Sequence, residues 1–306
     1  MNARRLFLGM LAGNAAGGLV CLLAYGLTLL AKGNAVIVIY PSIFLVPFTI
    51  GLVAAWVWRP LALRIGETLL HSLTCMLVGL TAAYVVFHEG AVCLVIGAPI
   101  IYLGIIAGAL GGRVWFRKAP DRLNLCLAPL LVLAVAGEPA LRGPHTGVVT
   151  DEIRIAAPPA RVWPHVLAFP KIPEAPGYWL FRVGLPYPME TTNSGNFVGA
   201  DRACIFSGGA VFQEKVAELV PGKVLTFDIV AAPPDPELLG HLDAHRGQFE
   251  LRDNGDGTTT LIGRTWYSLH VRPAPYFDWW THDIFRAVHL RVMKHIQHLA
   301  ESESGA

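Results

Sequence analysis

Glu214 is the residue whose position in this 306-residue chain most invites chemistry. If the Gly208-Gly209 turn has two residues, Ala203, Ile205, Phe212 and Val216 share one face of a hairpin and Glu214 stands among them. A carboxyl group in an apolar row has its pKa raised, which suits general acid/base work or the anchoring of a ligand's polar end. Pairing with a neighbouring cation or hydroxyl is one structural alternative, and a register shifted by one residue, which would turn Glu214 to solvent, is another. Tyr267 is the second candidate acid/base. It shares the more apolar face of a strand with Leu261, Gly263, Thr265, Leu269 and Val271, while Arg264, Trp266 and His270 point the other way.

The histidines do not assemble a metal site. His241 and His245 are four apart, but Gly240 and Gly247 argue for a loop there. His282 and His289 lie two helical turns apart, roughly 10 Å, too far for one ion. His295 and His298 could meet but fall near a polar helix end, and surface or capping roles are the expectation for all these histidines. Cys21, Cys75, Cys93 and Cys126 lie in apolar runs and Cys204 stands apart, so neither a disulfide framework nor a CxxC motif exists. No Walker loop, Gly-x-Gly-x-x-Gly, Gly-x-Ser-x-Gly elbow or His-Glu-x-x-His occurs. No metal and no cofactor are expected.

The elements that must position Glu214 and Tyr267 lie in the second half of the chain. Val148 to Ile155 alternates as a strand with Thr150, Glu152 and Arg154 outward, and Pro158 or Pro159 opens a helix carrying Val162, Trp163, Val166 and Leu167 on one face. Pro170, Pro173 and Pro176 then break the chain before Trp179 to Phe181. Strands are expected at 202–207, 210–219, 223–230, 246–252 and 258–271, the last two joined by the turn Asp253-Asn254-Gly255-Asp256-Gly257. A long helix from about Pro275 to Ala300 presents Trp280, Ile284, Val288, Val292, Ile296 and Leu299 as a seam. From residue 142 onward 15 Lys and Arg face 18 Asp and Glu without a basic stripe, which argues against a nucleic-acid partner.

Residues 1–140 are of another kind. Leu6–Leu30, Val36–Trp58, Glu67–Phe87 and Ala91–Trp115 each approach the roughly 20 apolar residues that cross a bilayer. A fifth run, Leu123–Gly137, is short and contains Pro129, so a re-entrant placement stays open beside a crossing. Arg4 and Arg5, Arg59 and Arg64, and the Arg113 to Arg122 group place the amino terminus in the cytoplasm. A crossing fifth run then carries the second half out of the cytoplasm. An integral protein of a bacterial inner membrane is the expectation, with the bilayer as its partner. Gly9, Gly13 and Gly17, and likewise Gly104, Gly108 and Gly112, form smooth ridges for close helix contact within a chain or between copies in a homo-oligomer. Asn14, Glu67 and His71 are the polar residues of these spans, the last two near the cytoplasmic edge, where no transport role is needed.

The segment Glu152-Ile153-Arg154-Ile155-Ala156-Ala157-Pro158-Pro159-Ala160-Arg161-Val162-Trp163 resembles the opening of the SRPBCC superfamily, also called START or Bet v 1-like and including polyketide cyclase-like proteins. The strand Gly263-Arg264-Thr265-Trp266-Tyr267 and the helix ending His295-Ile296-Gln297-His298-Leu299 are similar to it as well. The resemblance covers residues 148–300 and implies an α+β helix-grip domain, a curved antiparallel sheet around a long carboxy-terminal helix, behind an α-helical membrane bundle. It also implies a deep apolar cavity. Alternation then gives Ile205, Phe212, Glu214, Phe227, Phe249, Thr265, Tyr267, Trp280 and Ile284 as ligand-facing, with Gly184 to Pro188 edging the mouth. The leading expectation is a membrane-tethered binder of a lipid or other small hydrophobic ligand. A cyclase, dehydratase or hydrolase acting on a hydrophobic substrate, and a non-catalytic interaction module, are the alternatives.

Overall fold

The computed structural model describes residues 3–30, 39–86, 88–118, 143, 145–233 and 242–302. The chain divides into two compact units, Met1–Gly143 and Pro144–Ala306.

The first unit contains four long helices, α1 (Ala3–Leu30), α2 (Ile39–Trp58), α3 (Ile65–Val86) and α4 (Ala91–Lys118). All four are long and apolar enough to cross a membrane. Both glycine ridges are taken up by α2 of the same chain. A Cβ on Gly13 would lie 2.6 Å from the Ile50 carbonyl oxygen, and one on Gly108 would lie 2.0 Å from that of Phe48. Backbones meet here because no side chain holds them apart. Asn14 donates to the Met10 and Cys75 carbonyls, and Glu67 accepts from the Arg64 amide at the start of α3. These polar groups serve packing and helix capping. The Leu123–Gly137 run and His241 lie outside the described residues.

The second unit is a helix-grip fold. Seven antiparallel strands, β1 (His145–Ile155), β2 (Pro188–Asn193), β3 (Asp201–Phe206), β4 (Val211–Val220), β5 (Val224–Ala231), β6 (Leu242–Asp253) and β7 (Thr259–Leu269), run in the order β1-β7-β6-β5-β4-β3-β2. Two short helices, α5 (Pro159–Leu167) and α6 (Trp179–Val183), interrupt the chain between β1 and β2, and the long helix α7 (Ala274–Ser302) ends it. The edge strand β2 has no counterpart in the sequence reading, because Pro188 and the Thr191-Thr192-Asn193 end carry loop signals; proline is tolerated at an edge. β6 begins at Leu242, so His245 sits in a strand and not a loop.

The core forms where α5 and α7 meet the sheet. Val162 and Val166, one helical turn apart on α5, pack with Ile155, Leu225, Leu261, Met293 and Ile296, all fully buried. Burying each such side chain contributes about 1.5–3 kcal/mol. Gly263 keeps α7 close to the sheet: a Cβ there would come within 3.1 Å of Met293 Sδ.

Candidate functional site

Between the sheet and α7 lies a cavity of about 400 Å³. Its wall is mostly apolar and includes Phe212, Phe227 and Phe249 from the sheet and Ile284, Val288 and Val292 from α7. Phe227 and Phe249 lie against each other at 6.3 Å between centroids. Gly247, opposite Phe227 in the β5–β6 pairing, makes room for that ring: a Cβ there would be 2.3 Å from it. Leu185 and Pro186 contribute from the segment before β2, and Pro188 from its first position.

Six of the residues expected to face a ligand line this cavity: Phe212, Glu214, Phe227, Phe249, Thr265 and Ile284. Ile205 does not. The β3–β4 connection is a three-residue turn, Ser207 to Gly209, with Gly208 and Gly209 both at positive φ and the Phe206 amide donating to Ala210. The extra residue shifts the register by one, so Cys204 pairs with Phe212 and Arg202 with Glu214. Arg202, Cys204 and Phe206 therefore line the cavity in place of Ala203 and Ile205.

Tyr267 and Trp280 are also outside the lining. Tyr267 is 1% exposed, its ring covers Gly147 and packs against Phe285 and His282, and its hydroxyl donates to Asp278 of α7. Burial, with the Asp278 carboxylate beside it, raises the Tyr267 pKa. Tyr267 thus fastens α7 to β7. Trp280 packs on Trp179 and Trp279 at the start of α7, on the rim aromatics.

The register shift explains what satisfies Glu214. Its carboxylate is bonded to the Arg202 guanidinium, and the two side chains are 5% and 2% exposed. Arg202 also stacks 4.4 Å over the Phe227 ring. Burial raises the Glu214 pKa against the opposing pull of Arg202. The Cys204 thiol is pushed up to about 12, by burial first and by the Glu214 carboxylate second. A thiol so protonated is a poor nucleophile.

Two polar residues went unrecognised in the sequence. Asp151 lies on the inward face of β1, and His289 is buried on α7 instead of capping or facing solvent. Asp151 Oδ2 is 2.9 Å from His289 Nδ1, and His289 Nε2 is 2.8 Å from Thr265 Oγ1; Thr265 and His289 both line the cavity. The alternation that sets Thr150, Glu152 and Arg154 outward also sets Asp151 inward, so the signal was present in β1. His295 is likewise buried, against Phe169, with its charge destabilised by desolvation. No group of three metal-ligating side chains occurs among the described residues.

A curved antiparallel sheet closed over a long helix, with an apolar cavity between them, defines a helix-grip ligand-binding architecture. The polyketide cyclase / dehydrase and lipid transport family model matches residues 146–300, and the chain belongs to that family. Similar solved structures include a structural-genomics protein of Nitrosospira multiformis, 17% identical, covering 52% of this chain and 100% of that one at a TM-score of 0.36. Another is norcoclaurine synthase from Thalictrum flavum in complex with dopamine and hydroxybenzaldehyde, 14% identical, covering 53% of this chain and 93% of that one at 0.36. A third is Ara h 8.0201, 14% identical, covering 52% and 99% at 0.34. No curated protein matches the chain.

Proposed function

We propose that this protein is a membrane-anchored binder whose helix-grip domain holds a lipid or another small hydrophobic molecule. The observation that carries the reading is the cavity of about 400 Å³, walled mostly by aromatic and aliphatic side chains. That volume lies within the range of about 300–1,000 Å³ usual for small-molecule sites. The Arg202–Glu214 pair gives one part of the wall a polar anchor, so an amphipathic ligand with a hydroxyl or carbonyl end suits it better than a pure hydrocarbon.

Four apolar helices in the same chain support the anchor. A ligand dissolved in the bilayer reaches such a cavity at high local concentration, because both are held at one membrane. Growth of the protein in cells, purification, and native mass spectrometry test the reading: a co-purifying lipid-sized adduct, or uptake of a hydrophobic probe, supports it. A domain that emerges empty and takes up nothing contradicts it.

The side of the membrane follows from the basic residues flanking the helices and from whether Leu123–Gly137 crosses. An extracytoplasmic domain is our reading. Alkaline phosphatase fused after Ala306 is then active, and an inactive fusion reverses the topology.

A further inference from the structure

Ligand binding alone leaves one feature of the cavity wall without a use. Asp151, His289 and Thr265, from three different elements, form a continuous line of hydrogen bonds of 2.9 and 2.8 Å that ends on a hydroxyl at the cavity surface. The Asp151 and His289 side chains are only 8% and 7% exposed. A carboxylate at Nδ1 fixes the imidazole tautomer: Nδ1 carries the proton and donates it to Asp151, which leaves the Nε2 lone pair to accept from the Thr265 hydroxyl. Hydroxyl, base and orienting acid in that order are the arrangement that activates an oxygen nucleophile.

The elements hold it firmly. Asp151 and Thr265 sit on neighbouring strands, where Asp151 pairs with Gly263 and Val149 pairs with Thr265. At Gly263 the backbone of β7 lies close under α7: a Cβ there would be 3.1 Å from Met293 Sδ and in ordinary contact, 3.8 Å, with His289 Cγ. The cavity wall is mostly apolar and includes Phe249, Phe285 and Val288. An acyl chain has apolar surface to lie on.

We propose that Thr265 is the nucleophile of an acyl-transfer site for esters of apolar carboxylic acids, with His289 as its general base and Asp151 as the positioning residue. This rests on the cavity accepting an apolar chain and adds a reaction to it. Thr265 Oγ1 bonds to the ester carbonyl carbon as its proton passes to His289 Nε2. The adduct collapses by breaking the bond to the alcohol oxygen, which takes the proton from His289 as it leaves. A water molecule, deprotonated by the same nitrogen, then attacks the acyl-threonine ester, releasing the acid and restoring the hydroxyl. Ester and water become acid and alcohol, with no change of oxidation state.

The test uses the full chain in dodecyl maltoside with p-nitrophenyl octanoate. The expected result is a nitrophenolate burst equal to the protein present and an octanoyl adduct that peptide mapping assigns to Thr265. Thr265→Val, which keeps the side chain's shape, abolishes burst and adduct. His289→Gln lowers the acylation rate by about 100-fold or more, the low end of what a general base supplies. Asp151→Asn lowers kcat with KM unchanged, and Asp151→Glu restores part of it. Binding of the unreactive p-nitrophenyl octyl ether, followed by native mass spectrometry, separates the two readings. Ether bound without burst or adduct overturns the acyl-transfer proposal and leaves the binding function standing; ether not bound, with no turnover, overturns both. Undiminished turnover in Thr265→Val also overturns it, and circular dichroism confirms that each variant compared is folded.

Discussion

Arg202 lies directly opposite Glu214 in the β3–β4 pairing, and both side chains are buried in the cavity wall as an ion pair. Removing one partner leaves the other charge without compensation. Arg202→Met and Glu214→Leu are each expected to destabilise the domain by about 3–5 kcal/mol, whereas the double variant loses much less. Urea unfolding of the four proteins measures the coupling. Additive losses contradict the pair as drawn.

Cys204 lines the same wall, and its thiol is pushed up to about 12 by burial and the Glu214 carboxylate. It stays protonated through neutral pH. Iodoacetamide is therefore expected to label Cys204 far more slowly than a free thiol at pH 8, with labelling restored in urea. Rapid labelling of the folded protein counts against the environment described.

His295 couples stability to pH. It is 6% exposed, burial lowers its pKa, and the facing charged or titratable groups are Glu174 at 3.9 Å, His298 and Arg291. A lowered pKa means that the unfolded chain binds the proton first as pH falls. The contribution of neutral His295 is thus complete above the unfolded value, about 6.5, and declines as pH drops toward the folded value. The slope of that decline is at most about 1.4 kcal/mol per pH unit. Unfolding free energies between pH 7.5 and 5 should fall more steeply in the wild type than in His295→Leu, and parallel curves would remove the assignment.

In the helical unit the close approach of α4 to α2 depends on Gly108, where a Cβ would lie 2.0 Å from the Phe48 carbonyl. Gly108→Leu must push the helices apart and is expected to cost about 1–3 kcal/mol or more. Gly111→Ala meets nothing within 4 Å and serves as the neutral control. Thermal scans in detergent compare them; equal melting temperatures contradict the packing.

Much of this was legible in the residues. The change of character near residue 140 follows from hydropathy alone, since the apolar runs of bilayer length all precede it. The helix-grip order was legible because β1, β6, β7 and α7 each carry long, regular periodicity. What failed was local. One added residue in the Ser207–Gly209 turn exchanged Ile205 for Arg202 and Cys204 at the cavity, because a strand's faces invert with every single shift. Tyr267 was assigned the correct face of β7, but alternation gives a direction and not a depth, and its hydroxyl is consumed by Asp278. His289 is not legible from the seam through Ile284, Val288 and Val292, because the helix buries a wider face that includes His289, Met293 and His295.

The central claim is that the cavity holds an apolar molecule. Native mass spectrometry of residues 143–306, purified without detergent and then offered a graded series of fatty acids, tests it most directly. Saturable one-to-one binding is expected, and Ile284→Trp, which places an indole in the cavity, abolishes it without unfolding the domain. A wild-type domain that binds none of the series, or an Ile284→Trp domain that binds it unchanged, contradicts the claim.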